Sequence, residues 1–296
     1  MKAKVVNDFK YGFKRVDPVP TQEEVEAYYA KEFYDSNSHF FNQSSLEIQQ
    51  KQSEFFRARW DDLYSIASDF FGPDLPGRSV FDIGFGFGFG LIYLKERGLT
   101  VSGLEPSREG VDFARKNGVI AHHAGIENFD VAESRSDIVT LINVLEHLRD
   151  PEQTILNIKN ELLSEDGLLA VDVPNDFNDF QLVADKEYGL DQWWMAPPRH
   201  INYFSHQTLQ NLLEGCGFEV VHCTSSFPLD LFLLLGDNYV GDNELGSQCH
   251  KKRVNFERLM REHGKQEKLN AFYEALAKIN LGRTISIYVT PSRQEG

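Results

Sequence analysis

Residues Val80–Gly90, reading V-F-D-I-G-F-G-F-G-F-G, constrain this chain more than any other stretch. A short apolar strand carries Asp82 and breaks into Gly84, Gly86, Gly88 and Gly90, alternating with phenylalanine; Leu91, Ile92 and Leu94 then follow at helical spacing. A strand that turns through glycine into a helix exposes unpaired N–H groups at the helix N-terminus and lets a ligand approach the main chain. That is the nucleotide-facing corner of a doubly wound α/β domain.

The spacing excludes the dinucleotide pattern G-x-G-x-x-G. Its third glycine would fall on Phe89 in one frame and on Leu91 in the other. Asp82-x-Gly84-x-Gly86-x-Gly88 instead resembles the first motif of the class I S-adenosylmethionine (SAM)-dependent methyltransferases. Glu105 lies 21 positions after Gly84, at the end of the apolar run Val101–Leu104, where a carboxylate can accept both ribose hydroxyls. The plainer alternative, a tight turn filled with phenylalanine for core packing, accounts for the glycines and leaves Glu105 unexplained.

Composition mainly excludes. At 296 residues the chain fits one large domain or a core with appendages. The richest apolar stretch, Phe227–Leu235, holds Pro228 and Asp230 and is too short to cross a bilayer. Met1-Lys2-Ala3-Lys4 has no apolar segment behind it, so no signal peptide and no membrane insertion are expected, and a cytoplasmic location follows. Cys216, Cys223 and Cys249 have no metal-like spacing and suit a reducing compartment. A net charge of −15 argues against nucleic acid as a partner. A homodimer is compatible with all of this.

Residues 1–77 read as an aromatic, helical cap. Asp17-Pro18-Val19-Pro20 is extended, Thr21-Gln22-Glu23-Glu24 is a capping box, and a long helix spans about 46–70 with Phe56, Trp60, Leu63, Ala67 and Phe70 on one face. Tyr28, Tyr29, Phe33, Tyr34, Phe40 and Phe41 dock on the core or form a lid. Strands are expected at 79–83, 100–105, 119–121, 137–143, 167–173, 218–224 and 284–290. Helices start at Ser107, Asp150-Pro151 and Ser205. About 30 residues from Pro174 to Tyr203 read as irregular, and two helices fill 228–281. The fold class is α/β: a Rossmann-like, seven-stranded, mostly parallel sheet with helices on both faces, a helical cap and a helical insertion. The divisions are 1–77, a core at 78–227, the insertion at 228–281, and the last strand and tail at 282–296. The methyltransferase resemblance adds that the last strand inserts antiparallel between the fifth and sixth.

The same resemblance implies a site. Gly84, Phe85, Gly86 and Gly88 would pass the methionine and ribose of SAM, with Asp82 behind them and Glu105-Pro106 at the ribose. Gly125-Ile126-Glu127 resembles the adenine-edge segment, and Asn143-Val144-Leu145-Glu146-His147, running on to Asp150-Pro151, resembles the segment after the fourth strand. In some relatives that Glu-His pair helps hold a divalent metal; here a helix-start pair that orients the loop is the preferred reading, and no metal is expected. Pro197–Ser205 resembles P-x-H-x-x-x-F-[ST], making His200 the candidate base, with His147 beside it. Tyr28, Tyr29, Trp193, Trp194, Arg199 and Tyr203 are candidates to wall off water and hold the acceptor; His122 and His123 read as structural. At the front, Tyr11-Gly12-Phe13, Pro18–Thr21 and Tyr28-Tyr29 resemble methyltransferases of surface-polysaccharide and deoxysugar clusters, except that Tyr11 replaces a zinc-module cysteine. The core segments also resemble the ubiquinone-biosynthesis methyltransferases.

The expected activity is methyl transfer from SAM, releasing S-adenosylhomocysteine (SAH), to a small molecule, with a hydroxyl of a nucleotide- or phosphate-linked sugar the leading acceptor. The basic run His250–Lys268, with Lys251, Lys252 and Arg253, is either a solvated helix face or a contact for such an anionic acceptor. C- or N-methylation, a quinone or lipid-like acceptor, and a non-catalytic SAM-fold module are the alternatives. Phe85 and Phe87, bulky where smaller residues are usual, keep the last of these open.

Overall fold

Two short strands come first, where the sequence led us to expect only helix and extended chain. Strands β1 (Lys4–Asn7) and β2 (Lys14–Asp17) form an antiparallel hairpin. The computed structural model describes residues 4–28, 46–51, 53–129 and 135–293. Tyr29, Phe33, Tyr34, Phe40 and Phe41 lie outside the described residues. Helix α1 (Gln22–Tyr28) begins with the expected capping box: Thr21 N donates to Glu24 Oε2 at 2.8 Å and Glu24 N to Thr21 Oγ1 at 3.2 Å. Helices α2 (Leu46–Lys51) and α3 (Ser53–Phe71) cover the long helical stretch. Trp60, Leu63 and Ala67 form the buried face of α3.

The βα alternation then runs β3 (Ser79–Ile83), α4 (Phe89–Glu96), β4 (Thr100–Glu105), α5 (Arg108–Lys116), β5 (Ile120–His123), β6 (Ser136–Ile142), α6 (Pro151–Asn157) and β7 (Leu163–Pro174). The caps are those the sequence marks: Ser107 accepts from Gly110 N and Asp150 from Gln153 N. The stretch after β7 is less irregular than expected. It holds helix α7 (Asp179–Tyr188), capped by Asn178 and stopped by Gly189 at φ +64°, and strand β8 (Asn202–Tyr203). Strand β8 pairs with β2, so the hairpin and the late loop form one three-stranded sheet.

Helix α8 (His206–Gly215) and strand β9 (Phe218–Ser225) follow. The insertion holds the short helix α9 (Leu231–Leu234) and two longer ones, α10 (Asn243–Glu262) and α11 (Gln266–Lys278). Strand β10 (Thr284–Pro291) completes the main sheet, ordered β5-β4-β3-β6-β7-β10-β9. β10 is antiparallel to both of its neighbours, and β5, β4, β3, β6 and β7 are parallel. All five parallel strands therefore end at one edge, where ligands of open α/β sheets bind.

Apolar residues cover both sheet faces. One core joins Val139, Leu141, Val171, Ile285 and Ile287 to helices α6 and α8; the other joins Val80, Val101 and Ala170 to α3, α4 and α5. Tyr11 pins the hairpin to the first of these. Its ring lies against Gly215, where a β-carbon would come within 2.5 Å, and its hydroxyl donates to Glu152 at 2.8 Å.

Candidate active site

The four glycines do different jobs. Gly84, at φ +75°, turns the chain out of β3 against Val144; a β-carbon there would lie 2.7 Å from Val144 Cγ2. Gly86 faces open space, and Gly88 is the left-handed N-cap of α4. Gly90 serves packing instead: a β-carbon would strike the Trp60 indole of α3 at 1.8 Å. The phenylalanines turn away from the loop. Phe85, read from the sequence as a cofactor contact, has its ring in the core, within 2.9 Å of where a Gly103 β-carbon would stand, so only its backbone can line the loop. Phe87 packs on Phe89 and Phe113.

Glu105 ends β4 next to this loop. Its two oxygens accept from Gly86 N and Ser107 N, each at 2.8 Å, which ties the glycine turn to the start of α5. A carboxylate has about four acceptor directions, so two remain for ribose hydroxyls. Asp82 is buried behind the turn, where Thr140 donates to it at 2.6 Å. Burial pushes both carboxyls up to about 7, against the pull of those donors, and the charge of Glu105 raises Asp82 further. Gly125, Ile126 and Glu127 form the turn after β5, with Ile126 packed on the core. His123 ties this edge to the Pro106 carbonyl at 2.9 Å, and His122 packs on Phe129.

At the mouth of β6, Asn143 takes φ +55° and leads through Val144 into a short turn, Leu145–His147. The 197–204 loop is hooked onto that turn. Ile201 N donates to the Glu146 carbonyl at 2.8 Å, and the fully buried Asn202 amide donates to the carbonyls of Leu145 (3.3 Å) and Leu148 (2.7 Å). His147 and His200, 53 positions apart, therefore meet with ring centroids 4.9 Å apart, next to the buried Glu146. His147 Nδ1 lies 2.8 Å from the Arg199 carbonyl. Burial lowers His147 to about 4; burial and then His147 itself lower His200 to about 2, so both rings are neutral near pH 7. Burial raises Glu146 to about 8.

One ligand atom from each of Glu146, His147 and His200 lies within 4.8 Å of the others. Two buried atoms of this trio, Glu146 Oε2 and His200 Nδ1, have no hydrogen-bond partner. The Tyr203 ring lies beside His200, with centroids 6.3 Å apart, and further aromatic rings pack behind it. Trp193 packs on Trp194, and Trp194 and Tyr203 both pack on Phe177. Trp194 and Tyr203 are buried, and the Tyr203 hydroxyl shapes the loop by donating to the His200 carbonyl at 3.0 Å. Tyr28 closes α1 half-buried. Sequence reasoning missed Thr140, Asn202 and Phe177. Thr140 was visible as the one polar residue inside V-T-L-I; Asn202 and Phe177 carried no such signal.

This sheet order is that of the class I SAM-dependent methyltransferase fold. The chain belongs to the methyltransferase-domain family, whose model matches residues 53–223. SAM is its cofactor. Over 160 residues it is 28% identical to the ubiquinone biosynthesis O-methyltransferase of Glaesserella parasuis serovar 5 (strain SH0165), a match spanning 50% of this chain and 66% of that relative, just under two thirds of its length. Two solved structures share the fold. One is a chain from the complex between the Haloferax volcanii Trm112 methyltransferase activator and a methyltransferase (TM-score 0.54, 16% identity, 86% of this chain and 98% of that one). The other is the plantazolicin methyltransferase BpumL in complex with SAH (TM-score 0.54, 14% identity, 92% and 99%). Among the described residues no helix is long and apolar enough to cross a membrane.

Proposed function

We propose that this methyltransferase acts in the cytoplasm on a hydroxyl of a sugar in a glycan pathway. Gly84, Gly86 and Gly88 pass the methionine and ribose, Glu105 accepts the ribose hydroxyls beside Pro106, Gly125–Glu127 flank the adenine, and Asn143-Val144 support the reacting end. The observation that carries an oxygen acceptor is the pair of neutral imidazoles, His147 and His200, beside Glu146 at the sheet mouth. The similarity to an O-methyltransferase points the same way.

Transfer is an in-line displacement. The acceptor oxygen bonds to the methyl carbon as the carbon–sulfur bond breaks, the sulfonium becomes the neutral thioether of SAH, and the hydroxyl proton, made strongly acidic by the new bond, passes to His200, which burial leaves a weak base. Trp193, Trp194, Tyr203, Arg199 and Tyr28 enclose the acceptor and exclude water. His200→Ala should lower kcat by roughly 10²–10⁴-fold in a methyl-transfer assay over a sugar panel, while SAH affinity by calorimetry stays unchanged. An unchanged kcat removes His200 as the base.

The two orphaned atoms favour a second reading of the same trio. A carboxylate and two imidazoles within 4.8 Å suit a divalent cation, which would polarise the acceptor oxygen as a Lewis acid. Activity lost on chelation and restored by added metal supports the cation; activity that survives chelation supports the base alone.

A further inference from the structure

Phe177 is held at φ +61°, a backbone conformation that bulky side chains rarely adopt. Strain of this kind persists only where the surroundings over-determine it, and it gathers at working sites. The Phe177 ring meets Trp194 at 5.3 Å and Tyr203 at 5.8 Å between centroids, edge to face in both cases. It therefore backs two residues of the aromatic wall, and Tyr203 in turn donates to the His200 carbonyl at 3.0 Å.

The groups that fix Phe177 come from far along the chain. Asn175 N donates to the Arg283 carbonyl at 2.9 Å, and the Asn175 amide donates to the carbonyls of Asn280 (3.1 Å) and Gly282 (2.9 Å). Asn178 donates to the Asn175 carbonyl at 2.8 Å and caps α7. Asp176, buried and next to Phe177, accepts from the Arg283 guanidinium at 3.1 Å. Residues 280–283 lead from the insertion into β10, so the exit of the insertion is bonded directly to the loop that carries Phe177.

Arg283 also answers to the start of the insertion. Asp230, just before α9, is buried and accepts from the Tyr239 hydroxyl at 2.8 Å. Burial acts to lower the guanidinium, but the charges of Asp230 and Asp176 outweigh it and hold Arg283 above its ordinary value. The two carboxylates repel each other, and Arg283 is the cation on which both act. Without it, two buried negative charges would lose their counterion, which is costly enough to move the segments that carry them. Phe177 is then free to relax out of the left-handed region and take its ring off the wall.

We propose that Arg283 is a positioning residue for methyl transfer: through Asp230 and Asp176 it joins the 228–281 insertion to Phe177, and so sets where Trp194 and Tyr203 stand beside His200. The inference rests on the reading of those rings as the enclosure of the acceptor. It gives the insertion a part in the reaction that does not depend on its basic run, of which Lys252 is paired with Asp237 and Arg258 with Glu262.

The test is a proton–nitrogen correlation spectrum of the full chain labelled at its tryptophan indoles. Trp60, Trp193 and Trp194 give three signals, which report separately on α3 and on the wall; Trp60→Phe and Trp194→Phe assign them. Arg283→Met should shift or broaden the Trp194 signal while Trp60 stays in place and calorimetry shows SAH affinity retained. Arg283→Lys, which keeps the charge, should return Trp194 toward its wild-type position. Asp176→Asn keeps the shape of the side chain without its charge; it should move Trp194 in the same way, and it decides the matter if Arg283→Met does not fold. Over the sugar panel, kcat of these charge-removing variants should fall by roughly 10²-fold with KM for SAM unchanged. A Trp194 signal that stays in place, moves only together with Trp60, or is not restored by Arg283→Lys overturns the proposal. A shifted Trp194 with unaltered methyl transfer overturns instead the reading of the wall as the acceptor's enclosure.

Discussion

One methyl group of Val144 sets what the glycine turn tolerates. A β-carbon on Gly84 would stand 2.7 Å from Val144 Cγ2, in a backbone conformation that L side chains rarely adopt. Gly84→Ala should therefore combine steric overlap with roughly 1 kcal/mol of backbone cost. Val144→Ala relieves only the overlap. The double variant Gly84→Ala/Val144→Ala should recover part of the stability and SAH affinity lost in Gly84→Ala, giving a coupling on the order of 1 kcal/mol in a double-mutant cycle. Additive effects would mean that the two residues do not meet. The same detail revises the phenylalanines of the motif. Phe85 looked able to narrow the cofactor pocket, yet its ring is core packing against Gly103, so the run F-G-F-G-F-G no longer argues for a non-catalytic module.

Among the elements, the hook between the 197–204 loop and the Leu145–His147 turn brings the two histidines together. Asn202 carries that hook with two buried hydrogen bonds. Asn202→Leu orphans the carbonyl of Leu148, at a cost of about 1–3 kcal/mol, and leaves that of Leu145 only its bond from Leu148 N. Differential scanning calorimetry should show Tm lowered by several degrees, and methyl transfer should fall more than SAH affinity does, because the cofactor loop is untouched. Equal loss of both would place Asn202 outside this role. The hook also marks where sequence reading stops. The seven strands of the main sheet were legible because each is an apolar run with turn or cap signals at its ends, and the caps at Ser107, Asp150 and Ser205 fell where their side chains required. The three-stranded sheet was not legible, because β2 meets β8 nearly 190 residues later and local pattern carries no trace of that pairing. Helix α7 was missed for a different reason. Its buried residues are Gln181 and Ala184, while Leu182 and Val183 are 42% and 53% exposed, so hydropathy points to the wrong face.

For the molecule as a whole, burial at the sheet mouth couples stability to pH in two opposing ways. Asp82 and Glu105, raised to about 7, and Glu146, raised to about 8, keep protons in the folded chain that the unfolded chain has already lost. Their stabilisation is complete below about pH 4 and is lost as pH rises through 7 and 8. His147, His200, His206 and His250 are lowered by burial, so their contribution is present above about pH 6.5 and fades below it. Above pH 6.5 only the carboxyls act, and the net charge of −15 works in the same direction. The ligand-free chain should lose on the order of 2–4 kcal/mol between pH 6.5 and 8.5, seen as a falling Tm; a flat or rising Tm would contradict buried, protonated carboxyls. The account as a whole depends on one seat, in which the glycine turn and Glu105 hold the nucleoside of the methyl donor. Calorimetric titration of SAH into the wild-type chain and Glu105→Gln tests it most directly. One SAH per chain should bind the wild type, and Glu105→Gln should bind it roughly 10–100-fold more weakly while still unfolding cooperatively. Equal affinity in the two proteins, or no binding by the wild type, would contradict it.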